Sequence, residues 1–158
     1  MDLRKDFFNN LFGIAKHDKD IMLLVGDLGF SFMEQFQKEL PKQFINAGCI
    51  EQTMTGIAAG LALGGKKVYI YGTIPFMLMR NYEQIRDDIT YQNLNVKIIG
   101  YSMSGFIGFS HNLEGKENEE DLLKNLPNIK RYYPQNSEDL KKIILKSYGE
   151  NKPTYIRL

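Results

Sequence analysis

Helix-like and strand-like stretches alternate along this chain from one end to the other, and that alternation restricts its fold more than any other feature. Leu3, Phe7, Phe8, Leu11, Phe12 and Ile14 recur at helical spacing, so an amphipathic helix is predicted over residues 3–16. Residues 21–25, Ile-Met-Leu-Leu-Val, form a short, continuous apolar run ending at Gly26 and Asp27, the pattern of a strand buried on both faces. A short helix over 30–40, closed by Pro41, and a strand over 43–46 follow. Next come an apolar helix over 51–63, stopped by Gly64 and Gly65, a strand over 67–71 and a helix over about 78–91. After a strand at 96–100, residues 101–118 read as glycine-rich and irregular. A helix over 119–126 halts at Pro127, and a strand over 130–133 ends at Pro134. Ser137 is placed as the cap of a helix reaching about residue 148, and residues 153–158 form a last strand.

Such a string calls for an α/β fold of three layers, α/β/α, with a mostly parallel, doubly wound sheet, here as a single domain over 1–158. In sheets of this kind, chemistry gathers in the loops at the carboxyl ends of the strands. Those loops hold Gly26 and Asp27, residues 48–51, residues 72–76, residues 101–111, and Pro134 with Gln135.

Composition narrows the function. A net charge of +1 gives no electrostatic basis for binding nucleic acid or a membrane surface. No apolar run reaches the ~18 residues of a membrane span, and the N-terminus lacks a basic-then-apolar signal pattern, so a cytoplasmic location is expected. Cys49 is the one cysteine, which excludes an internal disulfide. With two histidines besides, a metal site held by this chain is not expected.

Within this frame Glu51 stands out. It lies between a glycine-bearing turn and a helix, 52–63, with no other ionisable residue. A carboxyl group at such a buried helix start tends to hold its proton more tightly and suits proton exchange. The plainer reading is an acid placed in a first turn by the helix dipole.

Four stretches, in order along the chain, resemble the pyrimidine-binding domain of transketolase and deoxyxylulose-phosphate synthase. Gly26-Asp27-Leu28 resembles that family's first strand end. Residues 44–54, Phe-Ile-Asn-Ala-Gly-Cys-Ile-Glu-Gln-Thr-Met, resemble the pattern "F-x-N-x-G-I-x-E-x-x-M". Residues 71–73 and 80–89 resemble its "S-T-F … R-A-Y-E-Q-I-R" strand, loop and helix. Residues 105–111, then Glu120-Asp121 and residues 126–128, resemble "G-x-x-G-x-S/T-H … E-D … L-P-N".

The resemblance implies thiamine diphosphate as cofactor. It implies that Glu51 hydrogen-bonds the aminopyrimidine ring and drives its conversion to the reactive imino form. Asp27 and Thr73 fall on the cofactor side, and His111 matches a substrate-contacting histidine. Relatives stack phenylalanine on the ring. Counted without gaps from Thr73 to Arg80, Ile74 and Met77 take those positions, with Phe76 one residue away. Either Phe76 or Met77 is therefore the expected ring cover. Arg80 and Arg86, near Glu83 and Asp87, read as salt-bridged surface or interface. His17, among charged residues, reads as surface.

The "G-D-G … N" segment that holds the diphosphate's divalent metal in relatives is missing. The expectation is a split enzyme, in which a partner chain supplies the diphosphate domain with Mg2+ or Ca2+, assembled as α2β2. The expectation extends to a chain without the third domain of relatives, which there follows an arginine that can contact substrate phosphate. A non-phosphorylated or nucleotide-carried acceptor then competes with a sugar phosphate. The implied reaction is transfer of a two-carbon unit from a ketose or 2-oxo acid to an aldehyde. Three alternatives stand beside it: decarboxylation or acyl transfer from a 2-oxo acid, a non-catalytic interaction domain that kept the fold, and a small-ligand binding module.

Overall fold

In a computed structural model, described here over residues 2–102 and 116–158, the alternation resolves into one six-stranded sheet. Its strands are β1 (Ile21–Val25), β2 (Phe44–Asn46), β3 (Lys67–Thr73), β4 (Val96–Tyr101), β5 (Lys130–Tyr132) and β6 (Thr154–Arg157), in the order β2-β1-β3-β4-β6-β5. Every pairing is parallel. The helices are α1 (Arg4–Ala15), α2 (Glu34–Glu39), α3 (Glu51–Leu63), α4 (Ile74–Leu78), α5 (Tyr82–Gln84), α6 (Lys116–Leu123) and α7 (Ser137–Tyr148).

The side-chain alternation of the strands divides the core in two. Leu23, Val25, Tyr69, Tyr71, Ile99 and Ile156 pack against α1, α2 and α7. Their neighbours Leu24, Val68, Ile70, Ile98 and Tyr155 face the opposite way, toward α3, α4 and the segment after α5. All five residues of β1 are buried, as its unbroken apolar run requires of a strand covered on both sides. The doubly wound, three-layer reading holds.

Three local readings change. The strand begins at Phe44 rather than at residue 43, because Gln43 ends a 3-10 turn (Pro41–Gln43). The buried Gln43 amide lies within hydrogen-bonding distance of the carbonyls of Ala15, Asp18 and Ile21 and stitches the α1–β1 connection to β2. The helix cap of α7 is Asn136, whose Oδ1 accepts from the Asp139 N–H at 2.9 Å; Ser137 is the first helical residue and donates its hydroxyl to Asp6. The single helix expected over 78–91 begins later: α4 ends at Leu78, and helix resumes only at Tyr82. Pro75 sits in the first turn of α4, where a missing N–H costs nothing. The chain then breaks at Asn81, and α5 continues into a π-helical turn over Ile85–Thr90. That break positions the functional site.

Candidate functional site

The strand order reverses between β1 and β3: β2 lies to one side of β1 and all later strands to the other. A crevice opens at such a point, outside the carboxyl ends of the strands. Gly26 follows β1, Thr73 ends β3, and Glu51 opens α3, the helix of the crossover between β2 and β3.

Glu51 is 2% exposed. Its backbone is set by the first turn of α3, where Thr55 Oγ1 lies 2.8 Å from the Glu51 carbonyl oxygen. Its carboxylate reaches toward Gly26: a Cβ at that position would lie 3.7 Å from both Cγ and Oε1 of Glu51 and 3.4 Å from the Gly48 carbonyl. Gly48, at φ +78, takes the left-handed turn that brings the chain into α3.

Glu51 does not face an apolar seam; a cation meets its carboxylate. Arg80 Nη1 donates to Glu51 Oε2 at 2.8 Å, and the Arg80 guanidinium carbon lies over the Phe76 ring, 4.0 Å from its centroid. The guanidinium is thus an ion-pair partner and a cation on an aromatic face at once. Arg80 is salt-bridged, as expected, but its partner is Glu51 across the crevice rather than an acid of its own helix. Arg86 does behave as expected, pairing with Asp87 at 2.8 Å and Tyr91 at 2.9 Å while exposed.

Asn81, which the sequence did not mark, holds this arrangement. It is fully buried. With its Nδ2 turned toward the end of α4, it donates to the carbonyls of Phe76 at 2.9 Å and Met77 at 3.1 Å, and its Oδ1 accepts from Thr55 Oγ1 at 2.8 Å. These are carbonyls that a helix end leaves without intrahelical partners. Asn81 thereby joins the turn carrying Arg80 and Phe76 to the turn carrying Glu51.

Phe76 and Met77 separate cleanly. Met77 is fully buried, and its side chain lies 3.0–3.3 Å from where a Gly72 Cβ would stand, so it is core beneath β3. Phe76 is partly exposed and lies under the guanidinium of Arg80, the ion-pair partner of Glu51. Of the two, Phe76 is the one with a face turned to the crevice. Met77 lies in the core rather than on the crevice.

Thr73 is 1% exposed, and its hydroxyl makes no hydrogen bond among the described residues. Asp27 sits on the rim with a left-handed φ of 57°, a conformation that aspartate tolerates. Its N–H donates to Asn46 Oδ1 at 3.0 Å, and Asn46 Nδ2 donates to Asp27 Oδ1 at 3.2 Å. His111 lies outside the described residues.

A second buried acid carries no mark in the sequence either. Glu119 in α6 is fully buried; it accepts from the Tyr155 hydroxyl at 2.7 Å and pairs with Arg157 Nε at 2.9 Å. Burial, with the nearby Glu119 carboxylate, pushes the Tyr155 hydroxyl well above its usual range. The neighbouring Glu120 pairs with Arg131 at 2.7 Å, whereas Asp121 is exposed.

The crevice suits an aminopyrimidine. It offers a buried carboxylate for a ring nitrogen, an aromatic face, and a buried hydroxyl, Thr73 Oγ1, with no partner among the described residues. Among the described residues no group of three or more His, Cys, Asp or Glu side chains is placed to hold a metal ion.

The family model described as "Transketolase, pyrimidine binding domain" matches residues 1–158. The chain is 34% identical over 159 residues to one of the subunits of an apulose-4-phosphate transketolase from Phocaeicola vulgatus, covering 98% of this chain and 50% of that protein. It is 31% identical to a putative transketolase C-terminal section of Methanocaldococcus jannaschii, covering 99% and 50%. A solved structure described as a split gene transketolase, an inactive beta4 tetramer, superposes with a TM-score of 0.86 at 32% identity, again over 98% of this chain and 50% of the other. The chain thus spans about half the length of the curated relatives it matches. It belongs to the transketolase pyrimidine-binding family, whose cofactor is thiamine diphosphate.

Proposed function

We propose that this chain is the pyrimidine-binding subunit of a split, transketolase-like enzyme that transfers a two-carbon ketol unit. The observation that carries the reading is Glu51: a carboxylate sealed from water at the switch point of a parallel sheet, in a chain of this family. The chemistry that thiamine diphosphate supplies when bound is a nucleophilic carbon able to carry the two-carbon unit.

The protein's part is positioning and proton control. Glu51 would hold a ring nitrogen of the bound cofactor and pass it a proton, through a hydrogen bond strengthened by the low local dielectric. Phe76 would offer its face to the ring, and Thr73 Oγ1 a buried hydroxyl at the end of β3. Asp27 stands at the rim, and His111 is assigned to the substrate side on the family resemblance. The diphosphate and its Mg2+ or Ca2+ fall to a partner chain, with α2β2 as the proposed assembly and a sugar or 2-oxo acid as the donor.

Retention of the chain's natural partner on purification, followed by a thiamine-diphosphate-dependent ketol-transfer assay of the complex with Glu51→Gln, tests this reading. Glu51→Gln is expected to leave the fold intact and to lower turnover by about 100- to 10,000-fold, the range for loss of a positioned proton-transfer group. Near-normal turnover in the variant would sink the mechanism. Release of carbon dioxide from a 2-oxo acid without ketol transfer would move the reading to decarboxylation.

A further inference from the structure

Arg80 is not needed to seat the turn it belongs to. That turn is held by its backbone and by Asn81: the Arg80 N–H donates to the Pro75 carbonyl at 3.2 Å, and Asn81 is buried between α4 and α3. The Arg80 side chain is the part of this fixed turn with room to move. It is 38% exposed, and its one hydrogen bond among the described residues goes to Glu51. Its guanidinium is flat, cationic and rich in N–H groups. It spends those properties on two contacts, an N–H to a buried carboxylate at 2.8 Å and a face over Phe76 at 4.0 Å.

A flat nitrogen heterocycle able to carry a proton would seek the same two contacts. We propose that the Arg80 guanidinium is a placeholder for the aminopyrimidine ring: in the chain by itself it occupies the ring's position between Phe76 and Glu51, and it must swing out for the ring to enter. The inference rests on the function proposed above and adds to it a gate and a selectivity.

The physical reason is the cost of an unpaired buried charge. Glu51, at 2% exposure, cannot be left without a donor, so Arg80 leaves only in exchange for another N–H donor. A neutral apolar ring would cover Phe76 and strand the carboxylate. A ring that offers Glu51 an N–H replaces both interactions. The pair therefore keeps the acid screened and charge-balanced in the free chain, and it admits only rings that can answer the carboxylate. The side chain's partial exposure leaves it a path outward, whereas Met77 and Asn81 around it are fully buried.

The probe is the free aminopyrimidine alcohol that forms the pyrimidine half of thiamine, titrated into the full chain labelled on its arginine side chains. The Arg80 Nε–H resonance, identified by its loss in Arg80→Lys, reports the guanidinium, and ligand-side NMR reports binding. As the probe saturates, the Arg80 signal is expected to shift as the guanidinium leaves the Phe76 face. Arg80→Met, which keeps the stem and removes the competing cation, is expected to bind the probe about tenfold tighter than the parent, the size of a displaced cation–π and ion-pair contact. Arg80→Lys keeps a charge for Glu51 without a flat face, and is expected to fall between the two; it serves if Arg80→Met folds poorly.

Binding with the Arg80 signal unmoved, or weaker binding in Arg80→Met, overturns the inference, because the ring would then sit beside Arg80. Binding to none of the three proteins also overturns it. Each of these results leaves the split-enzyme reading standing, since that depends on cofactor-dependent turnover of the assembled complex.

Discussion

Two buried charges, Glu51 at the carboxyl end of the sheet and Lys97 at the amino end, are answered in opposite ways. At the carboxyl end, Glu51 is balanced by a single long, part-exposed side chain, Arg80. At the amino end, Lys97 is fully buried in β4, and its ammonium is saturated: it donates to Asn95 Oδ1 at 2.6 Å, the Glu150 carbonyl at 2.8 Å and the Lys152 carbonyl at 2.9 Å. Two of those acceptors are backbone groups of the turn that leads into β6. Nearby, Lys67 and Tyr148 converge on Asp18 at 2.7 and 2.8 Å, and Lys130 pairs with Glu150 at 2.6 Å. A charge answered by fixed backbone is a fastener. A charge answered by one swinging side chain can exchange its partner. Burial alone does not tell a structural ion from a chemical one; the mobility of its partners does.

The sharpest way to break this contrast is to neutralise both charges and read turnover and stability together. Glu51→Gln should carry the full loss of turnover given above while moving stability by less than about 1 kcal/mol, because a part-exposed arginine can return to water. Lys97→Met should do the reverse, costing about 2 kcal/mol in urea unfolding by stranding two buried carbonyls. A large stability loss in the first variant, or a turnover loss in the second beyond what unfolding explains, would erase the distinction.

Next in size is the pH dependence of stability. Burial pulls the Lys97 ammonium down to about 8 from the usual 10.5. Between those values the unfolded chain holds more protons than the folded one, so this group's contribution to stability rises with pH across that window, by up to ~3 kcal/mol in total. Burial raises the hydroxyls of Tyr69, Tyr71 and Tyr155 above their usual 10. For them the sign is opposite: their stabilisation is complete below pH 10 and is lost above it. Urea midpoints are therefore expected to climb from pH 8 toward 10 and then fall. In Lys97→Met the climb should vanish and the fall remain.

Asn81 tests how the site is held. Asn81→Ala leaves the Phe76 and Met77 carbonyls without their side-chain donor and should cost about 2 kcal/mol. Asn81→Asp sets a carboxylate against those same carbonyls and should cost more. Equal losses would mean that the amide does not donate to α4. The smallest effect belongs to Arg86→Ala, whose exposed pairing with Asp87 and Tyr91 should move the thermal midpoint by no more than ~0.5 kcal/mol of stability allows.

Much of the fold was legible because its signals are local. An apolar run such as 21–25 is buried wherever it pairs, and the Gly64-Gly65 stop and the Pro41 and Pro134 breaks act within a few residues. Helix interruptions were less legible. The periodicity of 78–91 suits one helix, but Asn81 gains more by capping α4 and reaching Thr55 than by continuing a ladder. The α7 cap fell one residue from its expected place, since Asn136 and Ser137 are both capable of it and only the backbone chooses.

Of the site, Glu51 was visible as a solitary acid in an uncharged stretch. Its partner was not. Arg80 lies 29 positions along the chain, and which of the helix's charged side chains reaches Glu51 depends on how α4 ends against α3. Phe76 and Met77 are adjacent in sequence and chemically alike in hydrophobicity; the direction of α4 relative to β3 sends one under the strand and the other to the crevice.

Taken by itself, then, the sequence determined the succession of helices and strands, the parallel doubly wound sheet and the acid at the head of α3, because periodicity, glycine and proline act over a few residues of backbone. The tertiary structure alone decided which cation meets Glu51, which hydrophobic side chain faces the crevice, and that Lys97 and Glu119 are interior. Those outcomes depend on contacts between segments far apart in the chain, where a side chain's surroundings are set by packing and the dielectric it creates rather than by its neighbours in sequence.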